Sequence, residues 1–233
     1  RMLSMLPGDV DPERIVFWDI ETTGFSRQYD SIYLMGYFYW EGHQPYIEQH
    51  LAASTAEEIQ LLELFLEKLG EFDAVVSFNG DTFDIPFVKE RLRQMRVSGD
   101  LSEFHSVDLY KQYRPYASFF GWENCKLKSI ECFLDLERRD TMTGGELIEV
   151  FYEYSRTDDS QLENTLLLHN YEDILNLPSL LQIDAYIRFL RECPVSEIRL
   201  EPGDGENLKL GFLMEEGAPL KLDTCFCPQK KSV

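Results

Sequence analysis

Three short segments carry the residues that could do chemistry. The first is Arg14-Ile-Val-Phe-Trp-Asp-Ile-Glu-Thr-Thr-Gly24, an apolar run that ends in Asp19 and Glu21. Strand side chains alternate between faces, so these two carboxylates point the same way, about 7 Å apart along the strand. Two carboxylates on one buried face repel each other unless a cation lies between them. Hard divalent ions with a preference for oxygen, Mg²⁺ or Mn²⁺, suit that geometry. A strand ending in a solvated acidic turn would also present Asp-x-Glu, so the pair alone is ambiguous. The second segment, Ser77-Phe-Asn-Gly-Asp-Thr-Phe-Asp-Ile-Pro-Phe87, places Asp84 just after a strand and at the start of a helix. A helix N-terminus favours a carboxylate there, and a plain helix cap is the competing reading. The third, Leu168-His169-Asn-Tyr-Glu-Asp173, puts His169 and Asp173 one helical turn apart on one face, as a ligand pair or a surface pair would be.

The elements that must position these residues can be read from periodicity and turn chemistry. Ile15 to Ile20 is predicted as a first strand, Ile32 to Trp40 as a second and Tyr46 to Leu51 as a third, with Glu41-Gly42-His43 as the turn between the last two. Ser54 or Thr55 can cap a helix whose apolar stripe is Ile59, Leu62, Leu66 and Leu69, with Gly70 at its end. Ala74 to Phe78 is a fourth strand, Asp84 to Met95 a helix, and Phe104 to Val107 a short fifth strand followed by helical segments through Leu134. The last third reads as helices over Gly144–Tyr154 and Leu162–Leu177, with Pro178 opening another that runs to about Arg191. Beyond Pro194 the texture changes: Ile198–Leu200 and Leu208–Phe212 alternate like two strands around a Gly-rich turn. The implied architecture is α/β, a mixed sheet flanked by helices over residues 1–194, with a short extension over 195–233.

Composition limits the function classes. The chain has 233 residues, 44% hydrophobic and 13% aromatic, which is the texture of a folded globular protein with one good core. No apolar run reaches the length of a membrane span, and no charged-then-apolar signal pattern is seen. The five cysteines, Cys125, Cys132, Cys193, Cys225 and Cys227, are odd in number and irregularly spaced, as free thiols in a reducing cytoplasm are. Cys225-x-Cys227 has no visible partner pair for a metal site. A net charge of −20 opposes nucleic-acid binding, which rests on phosphate contacts from basic groups. Local basic clusters could offset it: Lys89, Arg91, Arg93 and Arg96; Lys126 and Lys128; Arg138 and Arg139.

Taken in order, the three segments resemble the DEDD group of 3′→5′ exonucleases within the ribonuclease-H-like fold. The chain is more closely similar to the bacterial ribonuclease-H-like exonucleases labelled YprB-like, relatives of the proofreading domains of family B DNA polymerases. Asp19-Ile-Glu21-Thr-Thr-Gly24 matches the first motif, and Asn79 with Phe83-Asp84-Ile-Pro-Phe87 the second. Val107-Asp108-Leu-Tyr110, Lys126-Leu-Lys128-Ser-Ile and Gly145-Glu146 add to the likeness, which covers Ile15 to Leu190. The resemblance implies metal-dependent cleavage of DNA or RNA from a 3′ end, probing single strands and releasing nucleoside 5′-monophosphates. Two divalent ions, Mg²⁺ or Mn²⁺, would be held by Asp19, Glu21, Asp84 and Asp173, with Asp19 as the bridge. Thr22, Phe25, Asn79, Phe83 and Tyr29 would shape the pocket for the terminal nucleotide. Within the group the fifth residue is a His five positions before the last Asp or a Tyr four before it. Here His169 stands four before Asp173, the identity of one subclass with the spacing of the other. His169 is expected to orient or deprotonate the attacking water. An inactive binding module and a structure-specific endonuclease on the same fold remain the alternatives.

Overall fold

β1 (Ile15–Thr22) is buried along most of its length, and its alternation sorts the molecule into two layers. The computed structural model describes residues 10–99, 101, 104–192, 195–202, 208–214 and 219–220, with side chains described through residue 187. After β1 come β2 (Ile32–Glu41), β3 (Gln44–Leu51), α1 (Glu58–Leu69), β4 (Ala74–Ser77), α2 (Asp84–Met95) and β5 (His105–Asp108). Helices α3 (Leu109–Tyr113), α4 (Leu127–Phe133), α5 (Gly144–Thr157), α6 (Ser160–Leu180) and α7 (Gln182–Glu192) follow. β6 (Val195–Pro202), β7 (Leu208–Met214) and β8 (Pro219–Leu220) come last.

The sheet order is β3-β2-β1-β4-β5, with β1–β2 and β2–β3 antiparallel and β1–β4 and β4–β5 parallel. This is the mixed α/β architecture implied by the sequence. A two-residue turn with Gly42 at φ 64 closes β2 onto β3 at the Glu41–Gln44 pair, a left-handed position that favours glycine. Val16, Trp18 and Ile20 share one core with Leu62 and Phe65 of α1 and Phe87, Val88 and Leu92 of α2. Each such large side chain contributes roughly 1.5–3 kcal/mol by leaving water. On the opposite face, Tyr33 and Leu34 pack with Leu147, Phe151 and Tyr154 of α5 and Leu166 of α6. Asp19 and Glu21 fall on this second face by alternation.

Helix α6 lies across β1, β2 and β3. It does not stop at the predicted boundary before Pro178 but runs through it to Leu180. Pro178 removes only the one ladder bond that its missing N–H would have made to the Ile174 carbonyl, and the helix ends two residues later. α6 buries His169, Asn170, Glu172 and Asn176 beside its apolar residues, an unusual polar load for a helix interior.

The chain divides into two compact units, Arg1–Ile183 and Asp184–Val233. The first holds the five-stranded sheet. The second holds a three-stranded antiparallel sheet, β6-β7-β8. Cys125 and Cys132 are free thiols. Cys193 and the Cys225-x-Cys227 motif lie outside the described residues. No helix among the described residues is long and apolar enough to cross a membrane.

Candidate metal centre

Asp19 and Glu21 sit where β1 leaves the buried centre of the sheet. Glu21 pairs with Leu34, but Thr22 pairs with Ile32, so the register slips and Tyr33 is the extra residue on β2. Such a bulge bends the strand and turns its last side chains toward a site. Tyr33 is held there by stacking on Phe151, with ring centroids 4.2 Å apart. Opposite Asp19 in the ladder is Gly36. A Cβ at Gly36 would overlap the Asn170 amide, so the missing side chain is what lets α6 come down onto the sheet. Asn170 then donates to Asp19 Oδ2 at 3.1 Å, and its own Oδ1 accepts from Gln49 of β3 at 2.9 Å. That second bond fixes which way the Asn170 amide points.

Asp84 reaches the same place from α2. It is the first residue of the helix, but its side chain is not a helix cap. Its Oδ1 accepts from the backbone N–H of Ile20, between Asp19 and Glu21, at 3.3 Å. His169 and Asp173 come from α6. His169 Nε2 lies 3.6 Å from Glu21 Oε1 and 3.8 Å from Asp173 Oδ2. One donor atom from each of Glu21, His169 and Asp173 lies within 4.8 Å of the other two, so the three could hold a metal ion. The structure thus gathers Asp19, Glu21, Asp84, His169 and Asp173 around one end of β1.

The electrostatics of this cluster are unbalanced. Burial first, then the charges of Asp84, Glu21 and Asp173, push the Asp19 carboxyl well above the ordinary range, with the Asn170 bond opposing. Burial, Asp173, Asp84 and Asp140 do the same to Glu21, with Arg138 opposing. Burial, with Asp108 adding to it, raises Asp84 to about 7 against its backbone hydrogen bonds. Carboxylates so placed either share protons or hold a cation. Oxygen donors with one imidazole nitrogen fit a divalent ion.

Behind the cluster lies a brace that the sequence did not reveal. Arg138 was expected as part of a basic pair with Arg139; instead its side chain is 8% exposed and faces carboxylates. Its Nη1 donates to both oxygens of Glu131 at 3.0 Å, and its Nη2 donates to Asp140 Oδ2 at 3.3 Å and to Asp173 Oδ1. Asp140 Oδ2 also meets His169 Nδ1 at 2.7 Å and accepts from Lys128 at 2.9 Å. Burial pulls Asp140 upward, but the bonds from Lys128 and the Met142 N–H and the nearby His169 outweigh it and hold the carboxyl below its ordinary value. Glu172 accepts from the backbone N–H groups of Arg139 and Asp140, which pins this segment to α6. One stretch, Arg138 to Asp140, therefore braces both α6 members of the site. Nothing in its spacing marks it, because its α6 partners lie 29 to 35 positions away.

The other basic clusters are also partly committed. Arg91 is buried against Glu58, and Arg93 donates to Glu90. Half of the eight basic residues in these clusters, Arg91, Arg93, Lys128 and Arg138, are thus engaged by carboxylates, which weakens the local basic field the clusters could offer. Among the substrate-pocket candidates, Thr22 donates to Gly24 O at 2.7 Å and so shapes the loop after β1. Phe25 and Tyr29, on that loop, are each 80% exposed. Phe83 packs edge-on against Phe25 and tilted against Phe87. Asn79 has φ 69, a left-handed conformation that asparagine tolerates, and its Oδ1 accepts from the Thr82 hydroxyl.

The family model of the RNase_H superfamily matches residues 16–183. In structure the chain is similar to the family B DNA polymerase of the hyperthermophilic archaeon Pyrobaculum calidifontis, with TM-score 0.59 and 18% identity. That likeness covers 77% of this chain and 25% of the polymerase chain, and it concerns the fold. No curated protein matches the sequence.

Proposed function

The chain belongs to the RNase_H superfamily, and from that premise we propose that it is a metal-dependent 3′→5′ exonuclease acting on DNA or RNA. The observation that carries the reading is the convergence of Asp19, Glu21, Asp84 and Asp173, where burial first and neighbouring carboxylates second push up Asp19 and Glu21, and burial with Asp108 raises Asp84. In this reading Asp19, Glu21, Asp84 and Asp173 would hold divalent ions, Mg²⁺ or Mn²⁺, two in number, which when bound would supply charge stabilisation for phosphodiester hydrolysis. Asp19, Glu21 and Asp173 would be direct ligands, and Asp84 would support them.

The remaining roles belong to the chain's own side chains. Asn170 orients Asp19, and Arg138 orients Asp173 by occupying its Oδ1. Phe25 and Tyr29 offer exposed rings for stacking on the terminal bases, which is tolerant of sequence and suits a single-stranded 3′ end. Phe83 supports Phe25 from below, and Thr22 and Asn79 fix the two loops that frame the pocket. Residues 195–233 form an extension to this catalytic unit. Two cations offset at most a few of the twenty excess negative charges, so substrate is held weakly and passes quickly.

The test is a 5′-labelled DNA or RNA oligonucleotide incubated with Mn²⁺ or Mg²⁺. Wild type gives a ladder of 3′-shortened products. Asp19→Ala lowers the rate by about a thousandfold, since several kcal/mol of charge stabilisation are lost. Equal cutting by both proteins, or none with either metal, overturns the reading.

A further inference from the structure

His169 is the residue whose surroundings fit the expected role least well. It is 6% exposed and its ring lies between carboxylates. Its Nδ1 is taken by Asp140 Oδ2 at 2.7 Å. Asp140 also receives Lys128 and Arg138, so it is a carboxylate, and Nδ1 must carry the hydrogen. In the neutral ring the lone pair is then on Nε2. That atom faces Glu21 Oε1 and Asp173 Oδ2 at 3.6 and 3.8 Å, beyond hydrogen-bond reach of either. A buried ring nitrogen with no hydrogen-bond partner therefore faces two carboxylate oxygens.

We propose that His169 Nε2 is itself a metal ligand, completing with Glu21 and Asp173 a site of one nitrogen and two oxygens that prefers a first-row transition ion to Mg²⁺. The distances fit. Two donors about 2.1 Å from one ion lie between about 3.0 Å apart at a right angle and about 4.2 Å apart in line. The four-residue spacing fits as well, because i and i+4 stack on one helix face and can chelate one ion, as paired helical ligands do. The support behind the ring is that of a metal-binding histidine: a carboxylate on the far nitrogen fixes the tautomer and raises the basicity of the near one. Arg138 does the matching work for Asp173 by engaging Oδ1, so that Oδ2 is the oxygen turned toward His169. An imidazole donor favours Mn²⁺ or Co²⁺ over Mg²⁺, which keeps oxygen ligands.

The inference deepens the metal-dependent reading above and rests on it, but its measurement needs no cleavage. Metal-free full-length chain is titrated with Mn²⁺ alone and studied by pulsed electron paramagnetic resonance, with Mg²⁺ as competitor. Wild type is expected to show coupling of the bound Mn²⁺ to a ring nitrogen and to bind Mn²⁺ at least tenfold more tightly than Mg²⁺. His169→Gln is expected to lose the nitrogen coupling and at least tenfold in Mn²⁺ affinity. Should that variant not fold, the wild-type spectrum and the Mg²⁺ competition still decide. Bound Mn²⁺ with no nitrogen coupling, coupling that persists in folded His169→Gln, equal affinity for the two metals, or no binding overturns the assignment. Cleavage of an oligonucleotide without nitrogen coupling would sink the His169 ligand and leave the nuclease reading intact. Nitrogen coupling without cleavage would do the reverse.

Discussion

Arg91 and Arg138 are both buried, both bonded to carboxylates, and opposite in charge balance. Arg91 meets one carboxylate, Glu58, through two bonds of 2.7 and 2.6 Å. The remaining valences are filled: Glu58 Oε1 accepts from the Ile32 N–H, and Arg91 Nη1 donates to Gln94. Charge for charge, the pair closes on itself and joins α1 to α2. Arg138 instead faces Glu131, Asp140, Glu172 and Asp173, with Glu21 close behind. Lys128 adds a second cation on Asp140. That still leaves negative charge in excess around the end of β1, where burial first and neighbouring carboxylates second push up three carboxyls. A balanced buried pair holds a fold together; an unbalanced cluster could hold a cation.

The contrast can be broken at either end. The largest change in stability is expected from Arg91→Gln, which leaves the Glu58 charge buried and unpaired. Unfolding in denaturant should show a loss of about 3–5 kcal/mol, with cleavage per folded molecule unchanged. A stability near wild type would mean that the pair is not structural.

Asp140→Asn acts on the unbalanced side. Removing the carboxylate behind His169 should weaken Mn²⁺ binding roughly 10- to 100-fold, as outer-shell changes at metal sites do. A Mn²⁺ titration that superimposes on wild type would show that Asp140 braces only the fold.

Gly36→Ala tests how closely α6 must approach. The new methyl would overlap the Asn170 amide, and such overpacking costs about 1–3 kcal/mol. Cleavage should fall along with stability, because Asn170 must leave Asp19. Full activity in a destabilised Gly36→Ala would separate the packing role from the site.

A pH slope tests the same side of the contrast. Asp84 sits at about 7 in the folded protein against an ordinary 3.8. A folded value above the unfolded one gives stability that is fully present below about 3.8 and is lost as pH rises through about 7. Metal-free protein should therefore lose melting temperature across that window, and Asp84→Asn should lose less. Divalent metal should reduce the slope in wild type by replacing the protons. Parallel slopes for the two metal-free proteins would contradict the assignment.

Most of the sheet was legible because strand alternation and turn residues are local. The convergence of Asp19, Glu21, Asp84, His169 and Asp173 at one end of β1 was also legible, because each belongs to a short motif whose order along the chain fits one fold. The end of α6 was misplaced because Pro178 is a breaker in isolation and is tolerated in a last turn. Arg138, Asp140, Asn170 and Gly36 were invisible as site residues. Each acts through a partner far away in sequence, and an arginine beside another arginine looks the same whether it is solvated or buried.

The sequence alone determined which side chains could do chemistry and which strand and helices would carry them, because those properties depend on residue type and short-range period. Only the tertiary structure decided how they are wired. It turned Nε2 of His169 toward Glu21 and Asp173, set Arg138 against Asp173, and let α6 settle over Gly36. The reason is physical: a hydrogen-bond partner or a crowded charge is set by distance in space, and no spacing along the chain encodes contacts between segments tens of residues apart.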